Sequence, residues 1–215
     1  MATLPTFDDP ALDAQLERYY DELDVLTAQA QAGEIEERDF IAEMERIVAA
    51  IIALMFMLGG GSTDVAGAEQ VLATRQREHA RSIRRLADDI YSGRYRPGEG
   101  ETAEQAREKL RGRLTLWAGA AAALYREGQV HAPARVSAGG ERRERRLQWV
   151  MDPAKENCST CAALNGTVLT ASEWRRIGIA PQLVGDGKEC DGWRCGCRFV
   201  EVEAESVGID SVPVA

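Results

Sequence analysis

The residues best suited to chemistry are cysteines, and all five in this 215-residue sequence lie at or beyond position 158. Cys158 and Cys161 stand as C-x2-C, and Cys190, Cys195 and Cys197 follow as C-x4-C-x-C. Zinc takes four thiolate or imidazole ligands in a tetrahedron. A C-x2-C turn presents two sulfurs to one side of such an ion and a second cluster closes the other. The spacing is that of a zinc ribbon or knuckle pair, with zinc in a structural role. Five sulfurs exceed four positions, so one of Cys190, Cys195 and Cys197 stays outside. Residues two apart on a strand face the same way, which lets either Cys195 or Cys197 serve, and Cys190 with Cys195 is the preferred pair. The competing readings are one or two disulfides formed outside the cell, and reduced thiols buried in a core.

Catalysis is not expected, and no catalytic residue is assigned. The two histidines are His79, on an apolar helical stripe, and His131, in a loop; neither is near a cysteine in sequence. A site closed by four sulfurs also has no open position for water or substrate. The remaining composition, 45% hydrophobic and 28% charged, is that of a globular protein and excludes wholesale disorder or a disulfide-dense toxin. No basic n-region followed by an apolar run opens the chain, so a reducing compartment is expected. The charge-free stretch Ile47 to Leu58 is shorter than the roughly 18 to 20 residues that span a bilayer. It reads as a helix in a core or an oligomer seam, and a membrane partner is not expected.

The elements that must position the cysteines are mostly helical. After Asp9 and Pro10, an N-cap and a first helical position, Leu12, Leu16, Tyr19, Leu23, Leu26 and Ala30 recur at spacings of three and four. A second helix starts within Glu34 to Asp39 and runs through Phe40, Met44, Ile47 and Ile51 to Leu58, where three glycines end it. Thr63 or Asp64 caps a third, with Leu72, His79, Ile83, Leu86 and Ile90 on one stripe. Thr102 and Gln105 form a capping box before a fourth, which Gly128 closes. From Arg142 the texture changes to a basic run and then the alternation of Leu147, Trp149 and Met151, a short strand.

The fold class is therefore mainly α: two amphipathic helical hairpins followed by a small zinc-ribbon-like α+β module. The expected segments are an acidic hairpin over 1–58, a glycine-rich hinge over 59–63 and an arginine-rich hairpin over 64–134. A basic linker over 135–147, a cysteine-rich module over 148–204 and an extended tail over 205–215 complete the chain. Charge follows this division: residues 1–58 hold 13 acids against 3 bases, and residues 64–149 hold 12 against 17, within a net charge of −9. Arg142, Arg143, Arg145 and Arg146 are the candidate phosphate contacts. The overall balance and only three lysines weigh against a dedicated DNA-binding protein.

The order Trp149, Asp152, Pro153, Cys158, Cys161, Leu164, Gly166, then Cys190, Cys195, Gly196, Cys197 and Arg198, resembles the carboxy-terminal module of tailed-bacteriophage minor head proteins, the head morphogenesis family related to the Mu F-like group. That family's W-x-x-D-P segment leads into C-x-x-C-x-x-L-x-G and ends in a cysteine or histidine before C-x-C. The helical layout is similar over roughly residues 10 to 200, while the specific motifs are confined to 149–198. Two features depart from it: Gly196 stands where a basic or polar residue is often found, and Thr170 to Gly187 is longer than in the plainest members.

The resemblance implies a virion component assembled in the host cytoplasm, acting in head assembly or at the portal through contacts with the portal or major capsid protein. It leaves room for a homo-oligomer and for contact with packaged DNA. The alternative class is a zinc-stabilised nucleic-acid-binding module.

Overall fold

The computed structural model describes residues 10–136, 139–154, 157–182, 189–190 and 196–212. Asp9, expected to cap the first helix, lies outside these, as do Cys195 and residues 213–215. The chain is mainly helical with a small carboxy-terminal sheet, as the sequence implies. Four long helices come first: α1 (Pro10–Ala32), α2 (Glu37–Leu58), α3 (Ala68–Tyr91) and α4 (Ala103–Val130). The capping box of α4 forms as expected, with Thr102 N donating to Gln105 Oε1 and Gln105 N to Thr102 Oγ1.

Two helix ends differ from expectation. Helix α3 begins at Ala68 rather than after Thr63 or Asp64. Those residues belong to a turn in which the Ser62 hydroxyl accepts from Asp64 N and the Ser62 carbonyl from Val65 N, and Gly67 at φ +85° redirects the chain into the helix. Helix α4 runs through Gly128 to Val130. This glycine serves close approach, not termination.

The chain divides into two compact units that cut across the expected segments. The first comprises residues 1–53 and 70–121, the second 54–69 and 122–215. The two hairpins are therefore not separate bodies, and the glycine triplet lies inside the second unit.

In the first unit, the apolar stripes read from the sequence are buried: Leu16 and Leu23 from α1, Phe40 and Met44 from α2, Leu86 from α3, Leu110 from α4. Polar links fix which helices are neighbours. Asp24 on α1 pairs with Arg107 of α4 at 2.5 Å and with Arg111 at 3.4 Å, and Tyr20 Oη donates to the Arg111 carbonyl. Later residues of α1 thus meet earlier ones of α4, so these two helices run antiparallel. Tyr91 Oη donates to the Ile35 carbonyl and its ring lies 6.0 Å from Phe40, which sets α3 antiparallel to α2. No described helix is long and apolar enough to cross a membrane.

In the second unit, the ends of α2 and α4 touch backbone to backbone: a Cβ on Gly59 would overlap the Tyr125 carbonyl oxygen, and one on Gly128 the Phe56 carbonyl oxygen. Beyond α4 the expected linker is in part a two-stranded ribbon, β1 (Arg135–Val136) and β2 (Arg142–Arg143), with Arg135 opposite Arg143. The module proper is a three-stranded antiparallel sheet in the order β4-β3-β5, from β3 (Arg146–Val150), β4 (Val168–Thr170) and β5 (Arg198–Glu201). It is packed with two short helices, α5 (Ser159–Leu164) and α6 (Ala171–Ile177). Inward positions alternate along β3 as the pattern predicted: Leu147 and Trp149 are buried. Trp149, Trp174 and Phe199 fill the core with ring centroids 5.1 to 5.7 Å apart.

The tail is not an extended arm through residue 212. Val207 N donates to the Val168 carbonyl, Ser206 Oγ to Glu173, and a 3-10 turn over Ile209–Ser211 carries Val212 into the module's core. Glu173 anchors this return. Its carboxylate accepts from Thr170 N, Thr170 Oγ1 and Ser206 Oγ within 2.9 Å, completing the capping box of α6.

Candidate metal centre

Strand β3 ends by feeding the cysteine knuckle through a turn built by side chains. Asp152 Oδ1 accepts from Ala154 N, and the Asp152 carbonyl accepts from Asn157 Nδ2. Pro153 pre-sets the backbone at this bend. Cys158 then caps α5 in an extended conformation, its sulfur accepting from Cys161 N at 3.4 Å. Cys161 and Leu164, three apart on one helical face, are both buried against Trp149 and Leu169. Gly166 closes the helix at φ +84°, where its N–H returns to the Trp149 carbonyl. The tryptophan, aspartate-proline, cysteine pair, leucine and glycine of the motif each have a positional task.

The sulfurs of Cys158, Cys161 and Cys190 lie within 4.8 Å of one another. Cys190 joins from far along the chain beside Glu189. That residue's Oε2 accepts from Ser159 N at 2.8 Å and Ser159 Oγ at 2.7 Å, and its N–H donates to Thr160 Oγ1. Hydrogen bonds from Ser159 lower the Glu189 pKa, those from its hydroxyl first. Burial pushes the Cys158 thiol up, yet hydrogen bonds from the backbone and thiol of Cys161, and then of Cys190, outweigh it and leave the pKa below the ordinary thiol value. A thiol so placed gives up its proton more readily than an unperturbed one, and the thiolate is the form in which sulfur binds metal.

The donor set fits a thiophilic ion. In a tetrahedral site with metal–sulfur bonds of about 2.3 Å, the sulfurs stand roughly 3.8 Å apart. The three sulfurs already lie within 4.8 Å of one another, close to that spacing. Among the described residues no disulfide is formed, and no carboxylate or imidazole joins this group.

Of the five expected ligands, three converge. Cys195 lies outside the described residues. Cys197 is not part of the group: it is buried in the core beside Phe199, its thiol donating to Asn157 Oδ1 at 3.7 Å. Asn157 was not visible as functional in the sequence. Neither was Glu189, whose signal is an acidic residue beside a cysteine and a Ser-Thr pair inside the knuckle.

The histidines stand elsewhere. His79 lines an open groove with Val48 and Ile52 in the first unit, and burial lowers its pKa. His131 is buried beside the Phe56 ring with Nδ1 2.9 Å from the Glu127 carbonyl, and burial again lowers its pKa.

The candidate phosphate contacts do not share one environment. Arg142 and Arg143 are exposed on β2, with Arg143 paired to Glu141 at 2.8 Å. Arg145 is half-buried against Gly60, and Arg146 donates to the Glu203 carbonyl.

No family model matches the chain, and neither a curated protein nor a solved structure is similar to it.

Proposed function

We propose that this chain is a structural component of tailed-bacteriophage heads, a minor head or head morphogenesis protein. It works through protein contacts with the portal or capsid and braces its carboxy-terminal module with one zinc ion. The observation that carries this reading is the convergence of Cys158, Cys161 and Cys190 behind the Trp149–Asp152–Pro153 turn. The resembling family's motif predicts that same grouping. Zinc in such a site supplies cross-linking of distant segments and no reaction step, and Cys158, Cys161 and Cys190 would hold it.

Two measurements test the proposal. Metal analysis of the reduced full-length protein is expected to return about one zinc per chain. Its absence, together with disulfides by mass spectrometry, would remove the metal part. Co-expression with the portal and major capsid proteins of the phage that encodes it is expected to bring the chain into sedimenting head particles. Exclusion from them, combined with tight duplex-DNA binding at about 150 mM salt that weakens steeply as salt rises, would replace the reading with a nucleic-acid-binding module.

A further inference from the structure

The cysteine group joins two stretches of chain that are distant in sequence, and the residues of the C-x2-C knuckle cannot by themselves bring Cys190 to it. Closing a loop of that length costs chain entropy whether or not a metal is present. Something must hold the second stretch where its sulfur can serve. The only described residues between 182 and 196 are Glu189 and Cys190, and Glu189 is tied to the knuckle at three points. Its carboxylate accepts from both the N–H and the hydroxyl of Ser159, the first residue after Cys158. Its own N–H donates to Thr160 Oγ1, the next residue along. The two residues of the C-x2-C spacer thus grip the neighbour of the third sulfur with side chains and backbone together.

Glu189 is not in the metal-ligating group: no oxygen of its carboxylate joins the three sulfurs. The bonded oxygen is turned to Ser159, a charge-assisted and nearly ideal hydrogen-bond geometry at 2.7 and 2.8 Å. We propose that Glu189 is a positioning residue of the metal centre, a latch that docks Cys190 onto the Cys158–Cys161 knuckle through Ser159 and Thr160 before and during metal binding. This inference rests on the metal reading above and adds to it how the three-sulfur geometry is assembled. It also gives the spacer its chemistry: Ser159 and Thr160 are the gripping half, and Cys158 and Cys161 the binding half.

The test uses the reduced full-length protein and its Glu189→Ala, Glu189→Gln, Ser159→Ala and double Ser159→Ala/Glu189→Ala variants. Zinc affinity is measured by chelator competition, and sulfur count by the thiolate-to-metal charge-transfer band of the cobalt(II) form. Glu189→Ala is expected to weaken zinc about 10- to 100-fold, the usual effect of losing a residue that orients a ligand, with the cobalt band unchanged in shape. Glu189→Gln keeps an acceptor and recovers part of the loss. The double variant is expected to be no weaker than Glu189→Ala alone, because both substitutions break the same contact. In metal-free protein, Cys190 is expected to alkylate faster in Glu189→Ala than in the wild type, while Cys161 does not.

An unchanged zinc affinity in Glu189→Ala would overturn the proposal. So would a cobalt spectrum that changes form on that substitution, since it would make Glu189 a ligand. A wild-type protein that binds neither metal, but whose Cys190 is unmasked by Glu189→Ala, would uphold the latch and refute the metal reading; unchanged alkylation as well would refute both.

Discussion

Replacing glycines along α4 one at a time by alanine gives effects of opposite sign from identical chemistry. Gly112 and Gly119 have nothing within 4 Å of where a Cβ would stand. Alanine there lowers the conformational entropy of the unfolded chain and improves helix propensity, so each substitution stabilises by about 0.5–1 kcal/mol. Gly128 gains the same propensity, but its Cβ would overlap the Phe56 carbonyl oxygen and lie 2.9 Å from the carbonyl carbon. Backbone cannot rotate aside as a side chain can, so the ends of α2 and α4 must separate. Forced overpacking of this kind costs about 1–3 kcal/mol, and a backbone clash belongs at the upper end, which leaves a net loss of about 2 kcal/mol. For a chain of this size each kcal/mol moves the midpoint by about 2–4 °C. Thermal unfolding followed by far-ultraviolet circular dichroism should therefore show Gly128→Ala below wild type and Gly112→Ala and Gly119→Ala above it. The first lies in the second compact unit and the other two in the first, so separate transitions, where they occur, report each effect in its own unit. A Gly128→Ala midpoint at or above wild type would refute the close crossing of the two helix ends.

Three further outcomes follow from the structure. Cys158→Ser is expected to abolish zinc binding and loosen the core around Trp149, read by tryptophan emission, while far-ultraviolet circular dichroism retains the signal of α1 to α4; loss of all helicity would contradict this. Asp24→Ala leaves Arg107 and Arg111 without their shared carboxylate at a site where the Arg107 side chain is 12% exposed. Its cost is expected to approach, without reaching, the ~3–5 kcal/mol of breaking a fully buried pair, measured by denaturant unfolding. Glu173 provides a pH signature: burial raises its carboxyl, but hydrogen bonds from Ser206 and Thr170 outweigh this and set the pKa below its ordinary value. Its contribution is therefore present above the unfolded carboxyl pKa and is lost as pH falls through the lower folded one. Acid unfolding should show a stability difference between wild type and Glu173→Gln that narrows over that range, and an equal difference at all pH values would count against it.

The legibility of the chain varied with the range of the interactions involved. Stripes such as Leu16, Leu23 and Leu26 of α1 are read from spacing because a helix repeats every 3.6 residues and its buried face is a local property. The alternation in β3 and the Thr102–Gln105 box are equally local, and both are present. The start of α3 differs from the spacing because a Ser62-centred turn takes backbone donors that the capping residues would otherwise use. In the sequence Gly128 reads as a stop because glycine's usual meaning is conformational, whereas in the structure it makes room for the Phe56 backbone, a contact between helices separate in sequence. At the metal centre, the C-x2-C pair was legible because its geometry is set within four residues. Among the later cysteines, the preferred Cys190 does join the pair and Cys197 does not, while Cys195 lies outside the described residues; what holds Cys190 there, Glu189 meeting Ser159, is a contact across a long stretch of chain and is not legible in spacing.

The same local physics explains why a module of this kind would gain from a metal. Helix α5 has 6 residues and α6 has 7, each far under the length at which a helix is stable by itself. The strands have 5, 3 and 4 residues. Elements this short owe their stability to packing, and the core they share is one cluster around Trp149, Trp174 and Phe199. Glu173 ties the tail and α6 to one edge of that cluster, and the Cys158 knuckle and the Cys190 stretch meet at the sulfurs and at the Glu189 contacts. Hydrogen bonds at an exposed surface contribute modestly, on the order of 1 kcal/mol each, whereas a structural zinc contributes its binding free energy to folding directly. A metal at Cys158, Cys161 and Cys190 would cross-link α5, at one side of that core, to a distant stretch of chain, and the proposed latch would bring the third sulfur within its reach.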